Sequence, residues 1–126
     1  MAVKHTILIV DDSPTMRQFI SFTLKRIKDV EVIEVSDGVA GLKKLRETPI
    51  SLVFSDVNMP MMDGFAFLSS IKSDAATKDI PVVMLTSEGA KEEIEKGKNL
   101  GAATYLTKPI NTHKLIFTAR EILKIS

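Results

Sequence analysis

The 126-residue chain contains no cysteine. That excludes a disulfide framework and any thiolate metal site. The chain also lacks a charge bias: 17 Lys and Arg stand against 16 Asp and Glu, for a formal net charge of +1. Such a balance gives no electrostatic case for binding nucleic acid or an anionic membrane. Long apolar runs are missing as well. The opening "MAVKHTILIVDDSP" carries four consecutive aliphatic residues, Ile7 to Val10, before two charges. That is too short for a signal-peptide core and far too short to span a bilayer. No low-complexity stretch, internal repeat or linker interrupts the chain. The expectation is therefore one domain over residues 1–126, located in the cytoplasm. A chain of this length can bury roughly two thirds of the surface its unfolded form exposes and needs no staple.

What is present is a regular alternation. Five short runs read as strands: "TILIV" (Thr6 to Val10), "EVIEV" (Glu31 to Val35), "SLVFS" (Ser51 to Ser55), "PVVML" (Pro81 to Leu85) and "ATYLT" (Ala103 to Thr107). They are mostly β-branched or aliphatic and bounded by turn formers. The first, third and fourth are nearly continuous in apolar character, which suits strands covered on both faces. Helical spacing fills the gaps. Met16, Phe19, Ile20, Thr23, Leu24 and Ile27 form one stripe, with Ser13 as N-cap and Pro14 in the first turn. Val39, Leu42 and Leu45 form a second. Phe65, Leu68 and Ile71 form a third, capped by Asp63. Ala90, Ile94 and Gly97 give a thin fourth line, with Gly101 at the position that ends a helix. Leu115, Ala119, Ile122 and Leu123 mark the last, capped by Asn111 or Thr112. A βα unit repeated five times implies an α/β fold with a parallel sheet and right-handed crossovers.

In such sheets ligands bind beyond the carboxyl ends of the strands. The first strand ends in Asp11 and Asp12, the third in Asp56, the fourth in Thr86 and the fifth in Lys108. If the first and third strands are neighbours, their ends lie about 4.8 Å apart and three carboxylates converge. Adjacent carboxylates disfavour each other's ionisation. A divalent cation resolves that conflict, and hard oxygen ligands suit Mg²⁺. Lys108 would be two strands from Asp56, roughly 10 Å at the backbone, which its side chain can largely cover. A carboxylate beside a metal, a hydroxyl and an ammonium can accept a phosphoryl group by in-line attack.

"VDDS", "SDVNMPMMDG", "LTSEGA" and "GAATYLTKPI" together resemble the receiver domain of two-component response regulators over the whole chain. Each motif alone is weak; the ordered set at strand ends is specific. The resemblance implies a flavodoxin-like (βα)5 sandwich with strand order 2-1-3-4-5. It implies that Asp56 accepts phosphate from a histidine kinase, and that Asp11, Asp12, Asp56 and the Asn58 carbonyl hold Mg²⁺. Thr86 and Lys108 would contact the phosphoryl group, Tyr105 would be the switch aromatic, and the Lys108–Pro109 bond would be cis. Asn58 and Glu88 would flank the path of the hydrolytic water and tune dephosphorylation. The implied protein is a monomeric, stand-alone chemotaxis regulator rather than an enzyme. It would signal to a protein target such as the flagellar motor switch, because no DNA-binding region follows. An intermediate receiver in a phosphorelay is the alternative.

An adjacent Asp pair is ordinarily a solvated turn, Thr86 a strand-end residue, Lys108 a surface cation and Tyr105 a half-buried packing group. Met59, Met61 and Met62 suggest loop packing with some exposure, and His5 and His113 ordinary surface histidines. A flavin carrier would need a hydroxyl- and glycine-rich phosphate loop after the first strand, where Asp11 and Asp12 stand instead. An aspartyl-nucleophile phosphatase would be expected to carry Asp-x-Asp, whereas Asn58 occupies the third position.

Overall fold

The computed structural model describes residues 4–87 and 90–125. Strands and helices alternate: β1 (His5–Val10), α1 (Pro14–Leu24), β2 (Val30–Val35), α2 (Gly38–Glu47), β3 (Leu52–Asp56), α3 (Gly64–Ser73), β4 (Val82–Ser87), α4 (Lys91–Asn99), β5 (Thr104–Lys108) and α5 (Thr112–Leu123). All strand pairs are parallel, in the order β2-β1-β3-β4-β5. The expected strands sit within one or two residues of the observed ones. β3 and β4 both run further than expected, to Asp56 and Ser87, because ladder bonding continues to the site. The Val57 N–H still donates to the Leu85 carbonyl at 3.1 Å.

The sheet is buried on both faces. Along β1, Ile7 and Ile9 join Ile20 and Leu24 of α1 and Leu115 and Ala119 of α5. Leu8 and Val10 face the other way, against Leu45 of α2 and Phe67, Leu68 and Ile71 of α3. This period of two divides the core into two layers. Ser13, Asp37, Asp63 and Asn111 cap α1, α2, α3 and α5 through side-chain oxygens. Asn111, not Thr112, is thus the cap of the last helix. Gly101 follows α4 with φ 101°, the left-handed turn that glycine takes without strain.

Two expected core positions face outward. Val39 is 58 % exposed and Phe19 is 39 % exposed. In α2 the buried stripe is Gly38, Gly41 and Leu45. A Cβ on Gly38 or Gly41 would crowd Met62 or the Phe67 ring, so α2 approaches through its glycines and turns Val39 to solvent. In α1 the buried face is Ile20, Ser21, Thr23 and Leu24. It includes Ser21, a small polar residue outside the expected stripe.

One glycine positions the site directly. A Cβ on Gly64 would overlap the Asp56 carbonyl oxygen and lie 2.8 Å from the Val57 Cα. Both are backbone atoms and cannot yield cheaply. Gly64→Ala is expected to cost about 3 kcal/mol, the upper range for overpacking. It should also displace Asp56, seen as a lowered chemical-denaturation midpoint and altered Asp56 and Val57 amide shifts. An unchanged midpoint would show that the α3 start is free to move.

Candidate functional site

The strand order reverses direction between β1 and β3, and a crevice opens there at the carboxyl ends. Val10 pairs with Ser55, so Asp11 and Asp56 follow on neighbouring strands. One carboxylate oxygen from each of Asp11, Asp12 and Asp56 lies within 4.8 Å of the others. Asp11 is fully buried and Asp56 is 4 % exposed, while Asp12 is open to solvent.

Asp11 is anchored on three sides. Its N–H donates to the Val35 carbonyl at 3.3 Å, and its Oδ1 accepts from the Ser13 N–H at 2.8 Å. Its carbonyl accepts from Arg17 Nη1 at 2.7 Å. The remaining oxygen, Oδ2, is buried with no hydrogen-bond partner among the described residues. Burial holds the Asp11 carboxyl above the ordinary aspartate range. The Ser13 N–H pulls it down, the Asp56 charge pushes it up, and Lys108 and Asp12 add smaller opposing effects. A buried carboxylate oxygen without a donor, facing two more carboxylates, fits a hard divalent cation.

Lys108 crosses from β5 to donate from Nζ to Asp56 Oδ1 at 3.0 Å. The Asn58 N–H reaches the same oxygen at 3.4 Å, and the Asn58 residue is exposed. The Lys108–Pro109 bond is cis. Among the described residues, three carboxylates therefore share one directly paired ammonium. Arg17 is committed elsewhere, with Nε 3.6 Å from Glu34.

Thr86 is 1 % exposed and lies in β4, one strand from Asp56. Its hydroxyl does not point its hydrogen at the carboxylates; it donates to Glu93 Oε1 of α4 at 2.9 Å. Tyr105 of β5 pairs with Met84 of β4, is partly buried and lies under the Lys98 ammonium, 5.2 Å from the ring centroid. A cavity of about 10 Å³ is lined by Tyr105, Thr86, Met84, Glu93 and Gly97. Glu88 lies outside the described residues. Met59 is buried and Met61 is 88 % exposed with φ 68°, as a packed loop with an outward tip requires. His5 and His113 are remote from the carboxylates. His5 is half-buried at the start of β1, and His113 is exposed on α5.

The chain matches the family model described as "Response regulator receiver domain" over residues 7–120. It belongs to the response regulator receiver family. The receiver is 36 % identical over 115 residues to a Rhizobium etli protein named "Probable chemotaxis protein CheY", covering 91 % of this chain and 89 % of that one. It is equally identical to chemotaxis protein CheY1 of Helicobacter pylori, over 86 % of this chain and 89 % of the relative. Among solved structures, chemotaxis response regulator CheY4 of Vibrio cholerae superposes with a TM-score of 0.87 at 36 % identity, covering 95 % and 99 % of the two chains. No helix among the described residues is long and apolar enough to cross a membrane.

Two residues of this receiver's site escaped the sequence reading. Arg17 is six residues beyond Asp11 and clamps its carbonyl. The signal was a lone cation in the first turn after an acidic pair. Glu93 gave no signal, because it is one of several acids in a polar helix.

Proposed function

We propose that this receiver accepts a phosphoryl group on Asp56 from a histidine kinase, and that it relays the change to a protein target in chemotaxis or motility control. The observation that carries the reading is the Asp56 carboxylate. It is almost fully buried at the switch point, with Oδ1 held by Lys108 at 3.0 Å and two further carboxylates beside it. In the transfer, an Asp56 oxygen bonds to phosphorus as the phosphorus–nitrogen bond of the donor histidine breaks. The electron pair stays on the imidazole, which takes up a proton. Lys108 stabilises charge on the equatorial phosphoryl oxygens, and the Asn58 N–H helps fix the plane of the carboxylate. Asp11, Asp12, Asp56 and the Asn58 carbonyl would hold Mg²⁺, which supplies charge neutralisation for the incoming anion.

After transfer, Thr86 turns its hydroxyl to the phosphoryl group and Tyr105 responds across the small cavity, changing the surface formed by α4, β5 and α5. Asn58 and Glu88 flank the route of the hydrolytic water and shorten the life of the acyl phosphate. The names of the curated relatives support the chemotaxis assignment, with the flagellar motor switch as one target of fitting kind. The protein works as a cytoplasmic monomer, with no turnover of an external substrate. The test is intact-mass measurement after incubation with a small-molecule phosphodonor. One added phosphoryl group is expected in Mg²⁺ and none in excess chelator. Absence of the adduct in Mg²⁺, or equal labelling in chelator, would overturn the reading.

A further inference from the structure

The Thr86 hydroxyl carries a single hydrogen and can donate it to one acceptor at a time. In the structure, which carries no phosphoryl group, that acceptor is Glu93 Oε1, at 2.9 Å. A carboxylate acceptor makes this bond stronger than one to a neutral group. A second observation concerns the helix that carries Glu93. The caps of α1, α2, α3 and α5 are made by Ser13, Asp37, Asp63 and Asn111. The N-cap of α4 is Ala90, whose side chain can accept nothing, and no side-chain cap bond forms there among the described residues. Gly97 is the buried residue of α4, so little apolar burial holds this helix either. The Glu93–Thr86 bond therefore ties the first turn of α4 to the sheet in place of a cap.

We propose that Glu93 is a latch: its carboxylate holds Thr86 in the resting position and anchors the start of α4, so that phosphoryl capture and latching compete for the one Thr86 hydrogen. The inference rests on the phosphoacceptor reading of Asp56 and adds a positioning residue to it. When Thr86 donates to a phosphoryl oxygen, Glu93 loses its partner and the uncapped turn of α4 is released with it. Coupling of this kind is reciprocal. A partner that draws Glu93 outward on docking to α4 would prolong the hold of Thr86 on the phosphoryl group.

The test has two arms. Beryllofluoride, a phosphoryl mimic, is titrated with Mg²⁺ into the parent, Glu93→Ala, Glu93→Gln, Thr86→Ala and the double variant. Glu93→Ala should bind about 3- to 10-fold more tightly, the range expected for one net hydrogen bond. Glu93→Gln, which keeps an acceptor but not the charge, should fall between. In the Thr86→Ala background, Glu93→Ala should change nothing. An equal gain there would show plain charge relief and overturn the latch.

The second arm needs no phosphoryl group. The Ile94 N–H makes the first helical bond of α4, to the Ala90 carbonyl at 3.0 Å. Its hydrogen exchange should quicken about 5-fold in both Glu93→Ala and Thr86→Ala, as loss of one anchoring bond allows. Quickening in Glu93→Ala alone would mark a helix-dipole effect and overturn the latch. Failure of the parent to bind beryllofluoride would overturn the phosphoacceptor reading and leave this arm to decide the latch.

Discussion

Asp56→Asn is expected to reduce phosphoryl labelling at least about a thousand-fold, the scale of loss when a nucleophile is removed. The amide has the shape of the carboxylate and can still accept from Lys108 Nζ and the Asn58 N–H. Its oxygen, however, is a far weaker nucleophile. The fold should survive. Asp56 is buried among Asp11 and Asp12, and neutralising one of three like charges removes repulsion. Asp12→Asn is the informative companion. Asp12 is exposed and donates no phosphoryl-bonding atom in the proposed site, so its loss should weaken the response to Mg²⁺ without abolishing labelling. Intact mass with peptide mapping distinguishes the cases. A stable phosphoryl adduct on the Asp56→Asn variant, or label mapped to Asp12 in the parent, would move the acceptor elsewhere.

Asp11→Asn should make the metal-free protein more stable by about 1–2 kcal/mol and remove most of its stabilisation by Mg²⁺. The first effect follows from Asp11 Oδ2, which is buried without a donor, the costly condition for a polar atom. An amide NH₂ at that position could donate to Asp12 or Asp56. Oδ1 would still accept from the Ser13 N–H. The second effect follows from binding linkage: a ligand at about one hundred times its Kd stabilises by about 2.7 kcal/mol, and Asp11 is one of three carboxylates available to hold it.

The pH dependence has a definite sign. Burial raises the folded-state Asp11 carboxyl above its ordinary value, so the native state holds that proton more tightly than the unfolded chain. Without metal, the Asp11 contribution to stability is fully present below the unfolded value. It declines as pH rises through the raised native one. Asp11→Asn should lose this slope. Thermal unfolding of parent and variant, with Mg²⁺ and with chelator across that window, measures all three effects. A variant less stable than the parent in chelator would show that the Asp11 carboxylate is satisfied in the apo protein.

Much of the architecture was legible in the sequence because it is written in local periodicity. β1, β3 and β4 are nearly continuous in apolar character, and strands buried on both faces need no alternation. Ser13, Asp63 and Asn111 announce helix starts, since a short polar side chain beside an unsatisfied N–H is a local event. In α1 and α2 the apolar stripe and the buried face diverge at Phe19 and Val39 for a common reason. Burial there goes to small residues, Ser21 in α1 and Gly38 and Gly41 in α2, and close helix approach favours small side chains irrespective of hydropathy.

The amino-acid sequence alone determined five βα units, the acidic pair after the first strand, and the strand-end positions of Asp56, Thr86 and Lys108. Those follow from neighbours in the chain. Three things were decided only by the tertiary structure. Lys108 reaches Asp56 across 52 positions, which depends on β4 lying between their strands. Asp11 is buried while Asp12 is not, because the Val35 carbonyl and Arg17 fix the peptide of one and leave its neighbour turned to solvent. Thr86 spends its hydrogen on Glu93, a residue of a polar helix with no signal of its own. A hydrogen bond is won by whichever acceptor lies nearest in space, and that distance exists only once α4 has been laid against β4.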